Sequence, residues 1–473
     1  MINIKRFSIT NIISRSYRDH VRDGETLKML NTMILAVAVG MILFTANGGA
    51  AFTGLASAIG TGEFAFGMIF AMPVFAGLLQ LYVSHLVEKT GKCKRMFMIG
   101  GVIQRIAWFC VAFIPYVFPV TQSRVFALIV LVTLAAMAGS FTNVTFLSMM
   151  AVVVPIEIRG RYITVRQRVM TFVSLVTGLC IAFILDNAPG FLGYTIIFAV
   201  GGIAGLIDIL MFWKAKFPEV RKDSSEVTLF KGMKECFSIS KTRNYMIFWM
   251  LWNFAAFLSA PFGTKYAIDV LSLSFVSIII FGQITANIIT VTILHRWGVL
   301  IDRYGSTPLL MISTLVTSLS AFVWLFAVPG NIWPLFIINI IGGFFWCANE
   351  ACAASMQFSH TPERGRSIAL AVYVVGTAVS SAAAMAIGGA VLETLNPIMK
   401  ELDLTVFGTP FDHYKVIFSV SAVLRIAVVL IFLTRVWNEK GYTLRQAYKR
   451  FFDDTKSRWQ YEKRRFRFPK FWK

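Results

Sequence analysis

Long apolar runs alternate with short polar turns along the whole chain. Each run has about the 20 residues a helix needs to cross a bilayer's hydrocarbon core. This pattern predicts twelve membrane helices, over residues 30–53, 64–86, 95–117, 125–153, 167–187, 193–213, 245–265, 274–297, 307–328, 333–359, 367–393 and 414–437. The sixth and seventh are separated by residues 214–244, polar and rich in lysine, the one candidate linker. The expected organisation is two six-helix bundles, 30–213 and 245–437. A basic segment, 1–29, precedes them, with Ile12, Ile13, Tyr17 and Val21 at the spacing of an interfacial helix, and a basic tail, 438–473, follows.

The polar turns repeat. Gly298-Val299-Leu300-Ile301-Asp302-Arg303-Tyr304-Gly305 follows the eighth run, and Ser84-His85-Leu86-Val87-Glu88-Lys89-Thr90-Gly91-Lys92 follows the second. Acid, base and glycine keep one spacing in both. Arg159-Gly160-Arg161 and Arg364-Gly365-Arg366 form a second pair, each shortly after a proline and a glutamate. Such repetition points to two halves of similar plan.

With 57% hydrophobic and 15% charged residues and a mean hydropathy of +0.69, the composition departs from that of soluble proteins, about a quarter charged. The net charge of +21 raises nucleic acid as a partner, but its placement argues otherwise. With the N-terminus in the cytoplasm, only Arg124, Lys265, Lys400 and Lys415 fall in outer segments, and Arg105 and Arg425 lie inside spans. The positive-inside rule then puts both termini inside. The tail, ending Arg464-Arg465-Phe466-Arg467-Phe468-Pro469-Lys470-Phe471-Trp472-Lys473, suits anionic headgroups of the inner leaflet better than nucleic acid. The six cysteines (Cys93, Cys110, Cys180, Cys236, Cys347, Cys352) lack metal-ligand spacing and read as free thiols. No nucleophile–base set, phosphate loop or cofactor motif appears, so neither an enzyme nor a cofactor is expected.

Gly298, Asp302, Arg303 and Gly305, after the eighth of twelve runs, resemble the signature loop of the major facilitator superfamily. In the first copy Glu88, Lys89, Gly91 and Lys92 fit, while Ser84 replaces the glycine. The resemblance covers nearly the whole chain. It implies two pseudo-symmetric six-helix bundles about a central cavity, alternating access, and a gating role for Glu88, Gly91, Gly298, Asp302, Arg303 and Gly305. On physical grounds Gly298 would let a neighbouring helix approach, and Asp302 would accept from a helix N-terminus or an arginine.

Polar groups at mid-bilayer are costly and are functional candidates. Asn47, Asn143, Asn253 and Asn349 occupy the first, fourth, seventh and tenth spans, which the family resemblance places around the cavity. Their amides suit a polar solute; the alternative is hydrogen bonding between neighbouring helices. Asn339, Gly343, Trp346, Glu350 and Gln357 share one face of the tenth span. Glu350 is the proton-coupling candidate, its alternative a salt bridge or helix contact, and Trp346 offers a face for a ring. Gln283 with Asn287, and Tyr373 with Thr377 and Ser381, make two more polar stripes. Arg105, Asp208 and Arg425 are expected as structural charges, Arg105 pairing with Asp208; contact of Arg105 with an anionic substrate is the alternative.

These readings favour a secondary transporter for a small polar organic solute, a sugar or glycoside first, passive or proton-coupled, acting as a monomer in a bacterial plasma membrane. Efflux of amphipathic compounds, favoured by 43 Phe and 20 Met, and a sensor or scaffold without flux remain as alternatives.

Overall fold

A computed structural model describes residues 24–155, 158–213, 237–361, 366–406 and 408–436, with Gln446 and Lys449. The amphipathic segment, most of the linker and nearly all of the tail lie outside the described residues.

Twelve spans follow in order. The first is Gly24–Asn47, continued beyond a glycine pair by Ala50–Ala58; the second is Glu63–Gly77 with Leu79–Thr90. Then come Cys93–Val111, Thr121–Val153, Arg159–Asn187 and Leu192–Leu210. The seventh is Ser240–Phe257 with Phe262–Asp269, and the eighth runs from Phe275 through a π-helical turn, Ile278–Ile284, to Tyr304. Ser306–Ser320, Trp333–His360, Arg366–Leu402 and His413–Phe432 complete the set. A two-residue hairpin, β1 Thr405–Val406 and β2 Thr409–Pro410, joins the last two. Eleven spans meet the length and hydropathy of a membrane crossing. The third span, Cys93–Val111, falls short of it, carrying Lys94, Arg95 and Arg105 among its 19 residues.

Several helices start before their apolar run. The fifth begins at Arg159, not at 167, because a helix ends where its caps are and not where hydropathy falls. The seventh breaks at Pro261, which has no N–H to continue the ladder. The carbonyls near that break are met from the twelfth span: Ala255 O accepts from Ser421 Oγ at 2.6 Å, and Ala256 O from the Arg425 guanidinium at 3.0 Å. A cation there also faces the negative end of the helix dipole. Arg425 is 8% exposed and finds carbonyl and hydroxyl oxygens rather than a carboxylate.

The helices form two bundles. Gly24 and Val436 lie at the end that also holds the basic turns, the basic end; the other is the far end. The halves meet mainly where the second span packs on the eleventh. A Cβ on Gly67 would lie 2.5 Å from Met385 O, and one on Gly389 2.6 Å from Glu63 O, so these helices touch backbone to backbone. Toward the basic end they part. Pro73, Val74, Gly77 and Leu81 on one side, and Leu370, Val374 and Ala378 on the other, line a groove of about 590 Å³.

Gly298 is the opposite case: a Cβ on it would meet nothing within 4 Å among the described residues, so none of them packs on it in this conformation. The two glycines therefore answer differently to substitution. Gly389→Ala should lower the melting temperature of the purified protein by several degrees, since the obstacle is backbone. Gly298→Ala should leave it unchanged or raise it slightly, gaining up to about 1 kcal/mol of helix propensity. Thermal unfolding of both variants decides.

Candidate functional site

A cavity of about 390 Å³ lies within the first half and takes residues from all six of its spans. Its polar lining is Gln80, Gln104, Arg105, Ser140, Thr142, Asn143, Arg166 and Asp208; Phe44, Phe97, Phe146 and Phe212 supply much of the rest. Arg105 stands twelve residues into its helix, roughly 18 Å along it at 1.5 Å per residue, and thus near the membrane middle.

The expected pair of Arg105 and Asp208 is present, with Nη2 2.8 Å from Oδ2 and both residues buried. The Gln104 amide oxygen accepts from the other guanidinium nitrogen at 2.6 Å. Three glycines make room. A Cβ on Gly40 would lie 2.6 Å from the Asp208 carboxylate, one on Gly205 2.6 Å from Arg105 Cγ, and one on Gly139 2.6 Å from the Gln104 amide. The pair thus joins the third and sixth spans, with the first packed close at Gly40, and it also forms cavity wall. Asn143 is exposed to the cavity, one turn beyond Gly139. Arg166 stands over the Phe146 ring at 5.2 Å, and its buried Nε has no hydrogen-bond partner.

The other candidates do not share this cavity. Asn47 is half-buried at the break in the first span. Asn253 donates to Trp249 O at 2.8 Å and accepts from Ser381 Oγ at 3.4 Å, joining the seventh and eleventh spans. Asn349 is 3% exposed; it accepts from Ser313 Oγ at 2.5 Å and faces Thr317 on the ninth span. Tyr373 stacks on Tyr245, ring centroids 5.4 Å apart, and Tyr245 on His360 at 5.3 Å. Gln283, Asn287, Trp346 and Glu350 are exposed; Gln283 lies in the π-helical turn and Asn287 just beyond it. At the basic end Gly91 closes the second span with φ 66°, and Gly305 turns the chain at φ 87°. Asp302 is exposed and makes no hydrogen bond or ion pair among the described residues, while Arg303 lies over the Tyr304 ring at 5.5 Å. Glu88 lies in the second span's last turn.

Sequence reasoning missed the far-end contacts. Glu63 Oε1 accepts from Tyr414 Oη at 2.6 Å and pairs with Lys265 Nζ at 3.3 Å, so one carboxylate joins the halves. Lys265 also holds Asp269 at 2.6 Å, and Asp269 accepts from Ser57 on the opposite half. Glu393 accepts from the Phe64 N–H, and Asp186, at the end of the fifth span, accepts from the Phe275 and Val276 N–H groups that open the eighth. That carboxylate meets the positive end of a helix in the other half. A usable signal existed: Lys265 and Lys415 are two of only four basic residues on the charge-poor side, and both are buried.

The fold has solved relatives. The chain resembles a mutant of the nucleoside transporter NupG at 14% identity and TM-score 0.67, covering 86% of this chain and 99% of that one. A D-xylose-proton symporter gives 16% identity and TM-score 0.65, covering 87% and 99%. An auto inhibited POT family peptide transporter gives 11% and 0.67, covering 86% and 96%. A search of curated proteins gives no match. The sequence profile of the Major Facilitator Superfamily matches residues 32–296 and again 296–472. The chain belongs to the major facilitator superfamily of membrane transporters.

Proposed function

We propose that the protein carries a small hydroxylated solute, of the sugar or glycoside class, across the membrane by alternating access, and that the described state opens to the cytoplasm. One observation carries this reading: the far end is locked by contacts between the halves, while toward the basic end the second and eleventh spans part beside the polar cavity of the first half. The basic end faces the cytoplasm by the positive-inside rule, with the plasma membrane as its site. Some 390 Å³ lies within the range of small-molecule sites. Asn143, Gln80 and Gln104 offer amide donors and acceptors to hydroxyl groups. The sugar and nucleoside transporters of like fold make such a solute the first choice.

In this scheme the halves rock about the cavity, Asp302 finds a partner when the basic end closes, and Glu350 takes up a proton in step with the solute. Asn253 and Asn349 keep their helices in register, while the exposed stripe of Gln283 and Asn287 meets solute from the second half. The Phe44, Phe97, Phe146 and Phe212 wall favours a second reading, efflux of amphipathic compounds.

Flux of labelled sugars, glycosides and lipophilic cations in proteoliposomes separates the two: sugar flux keeps the first, cation flux alone replaces it, and no flux removes both. For a transported sugar, Asn143→Ala should raise the half-saturating concentration about tenfold, the worth of one to two neutral hydrogen bonds, with unchanged thermal unfolding. Glu350→Gln should abolish accumulation against a gradient while sparing counterflow; retained accumulation would remove the proton role. Cysteines at positions 57 and 269, cross-linked, should trap the far end shut and stop flux, and reductant should restore it. Full flux in the cross-linked protein would show that this end need not open.

A further inference from the structure

The cavity charges do not balance. Arg105 is neutralised by Asp208 at 2.8 Å, and Asp208 is the only carboxylate in the lining. Among the described residues Arg166 has no ion pair. One face of its guanidinium is covered by Phe146, and its Nε is buried without a hydrogen-bond partner. Its helix begins at Arg159, so Arg166 stands two turns, roughly 10 Å, inside that end rather than among the headgroup-level charges. A half-dehydrated cation with unused donors is costly near the membrane interior, and a bound anion would offset that cost.

We propose that the solute of this cavity bears a single negative charge: a carboxylated sugar or glycoside of the uronic-acid kind, with Arg166 as the carboxylate anchor. The inference rests on the transport reading given above and narrows it. A guanidinium presents two parallel N–H groups that match the two oxygens of a carboxylate, and an ammonium does not. One unpaired cation balances one charge. A phosphate dianion would leave the site negative, which disfavours phosphorylated sugars. Gln80 and Asn143, from the second and fourth spans, then meet the hydroxyls, and Phe146, already against Arg166, limits water around the ion pair.

The test is equilibrium binding to the purified full-length protein with matched probes: glucose and glucuronate, galactose and galacturonate, and glucose 6-phosphate. One uronate should bind at least tenfold more tightly than its parent sugar. Arg166→Gln should remove the tenfold preference of uronate over parent sugar, and Arg166→Lys should fall between. Equal affinity of uronate and parent in the unsubstituted protein overturns the proposal without any variant, as does a preference that survives Arg166→Gln. Tighter binding of glucose 6-phosphate than of either uronate overturns the carboxylate assignment. Binding of neutral sugars alone removes this inference and leaves the transport reading standing; if no probe binds, the sugar reading and this inference fall together.

Discussion

The structure depends on a constraint that the bilayer imposes: no charge or backbone polar group within it can be left to water. Glu63 and Lys265 show the consequence most directly. Each is buried, and each is supplied with its partner by the opposite half. Removing Lys265 would leave the buried Glu63 carboxylate with the Tyr414 hydroxyl and no cation, whereas removing Glu63 would leave Lys265 its ion pair with Asp269, so the first change costs more of the about 3–5 kcal/mol of a broken buried pair. The pair therefore makes the joint between halves conditional on one conformation. A transporter that opens its far end must replace those partners with water as it moves.

The same constraint explains why the joint is narrow. Gly67 and Gly389 let two helices meet through backbone atoms, a contact that gains dispersion energy only at close range and vanishes on small separation. Charge pairs and backbone contact thus fail together, as a two-state latch requires. Within each half the opposite holds. Arg105 with Asp208 and Gln104, and Arg425 with the carbonyl of Ala256 and the hydroxyl of Ser259, fix helices that must move as one body. The geometry separates charges that join bodies from charges that hold a body rigid.

Much of this was legible in the sequence. Apolar runs gave the spans because a helix must satisfy its own backbone in lipid, which forces its length. Arg105 and Asp208 were readable as a pair because no cheaper arrangement exists for them. Other features were not, for physical reasons. Arg166 fell outside the hydropathy window of the fifth span, yet helix geometry extends through the basic turn and carries it inward. Asn349 looked like a cavity amide, but facing requires the rotation of the helix, which is set by the Ser313 and Thr317 hydroxyls of a neighbour distant in sequence. Gly298 fitted a family pattern, although in this conformation nothing packs on it.

That last point bears on how the signature loop acts. Glycine at a helix surface is costly in propensity and is kept only if some state needs its space. The described state leaves both Gly298 and Asp302 without neighbours to engage, while the far end is fully engaged. If the basic end closes by bringing a helix over Gly298, the loop stabilises the other conformation, and the two ends compete. Opening the far end breaks the Glu63 joint, and closing the basic end must return a comparable amount, or one state would dominate and transport would stall. The degenerate first copy, with Ser84 where the second has Gly298, then needs no counterpart helix: one close approach at the basic end balances one buried joint at the far end.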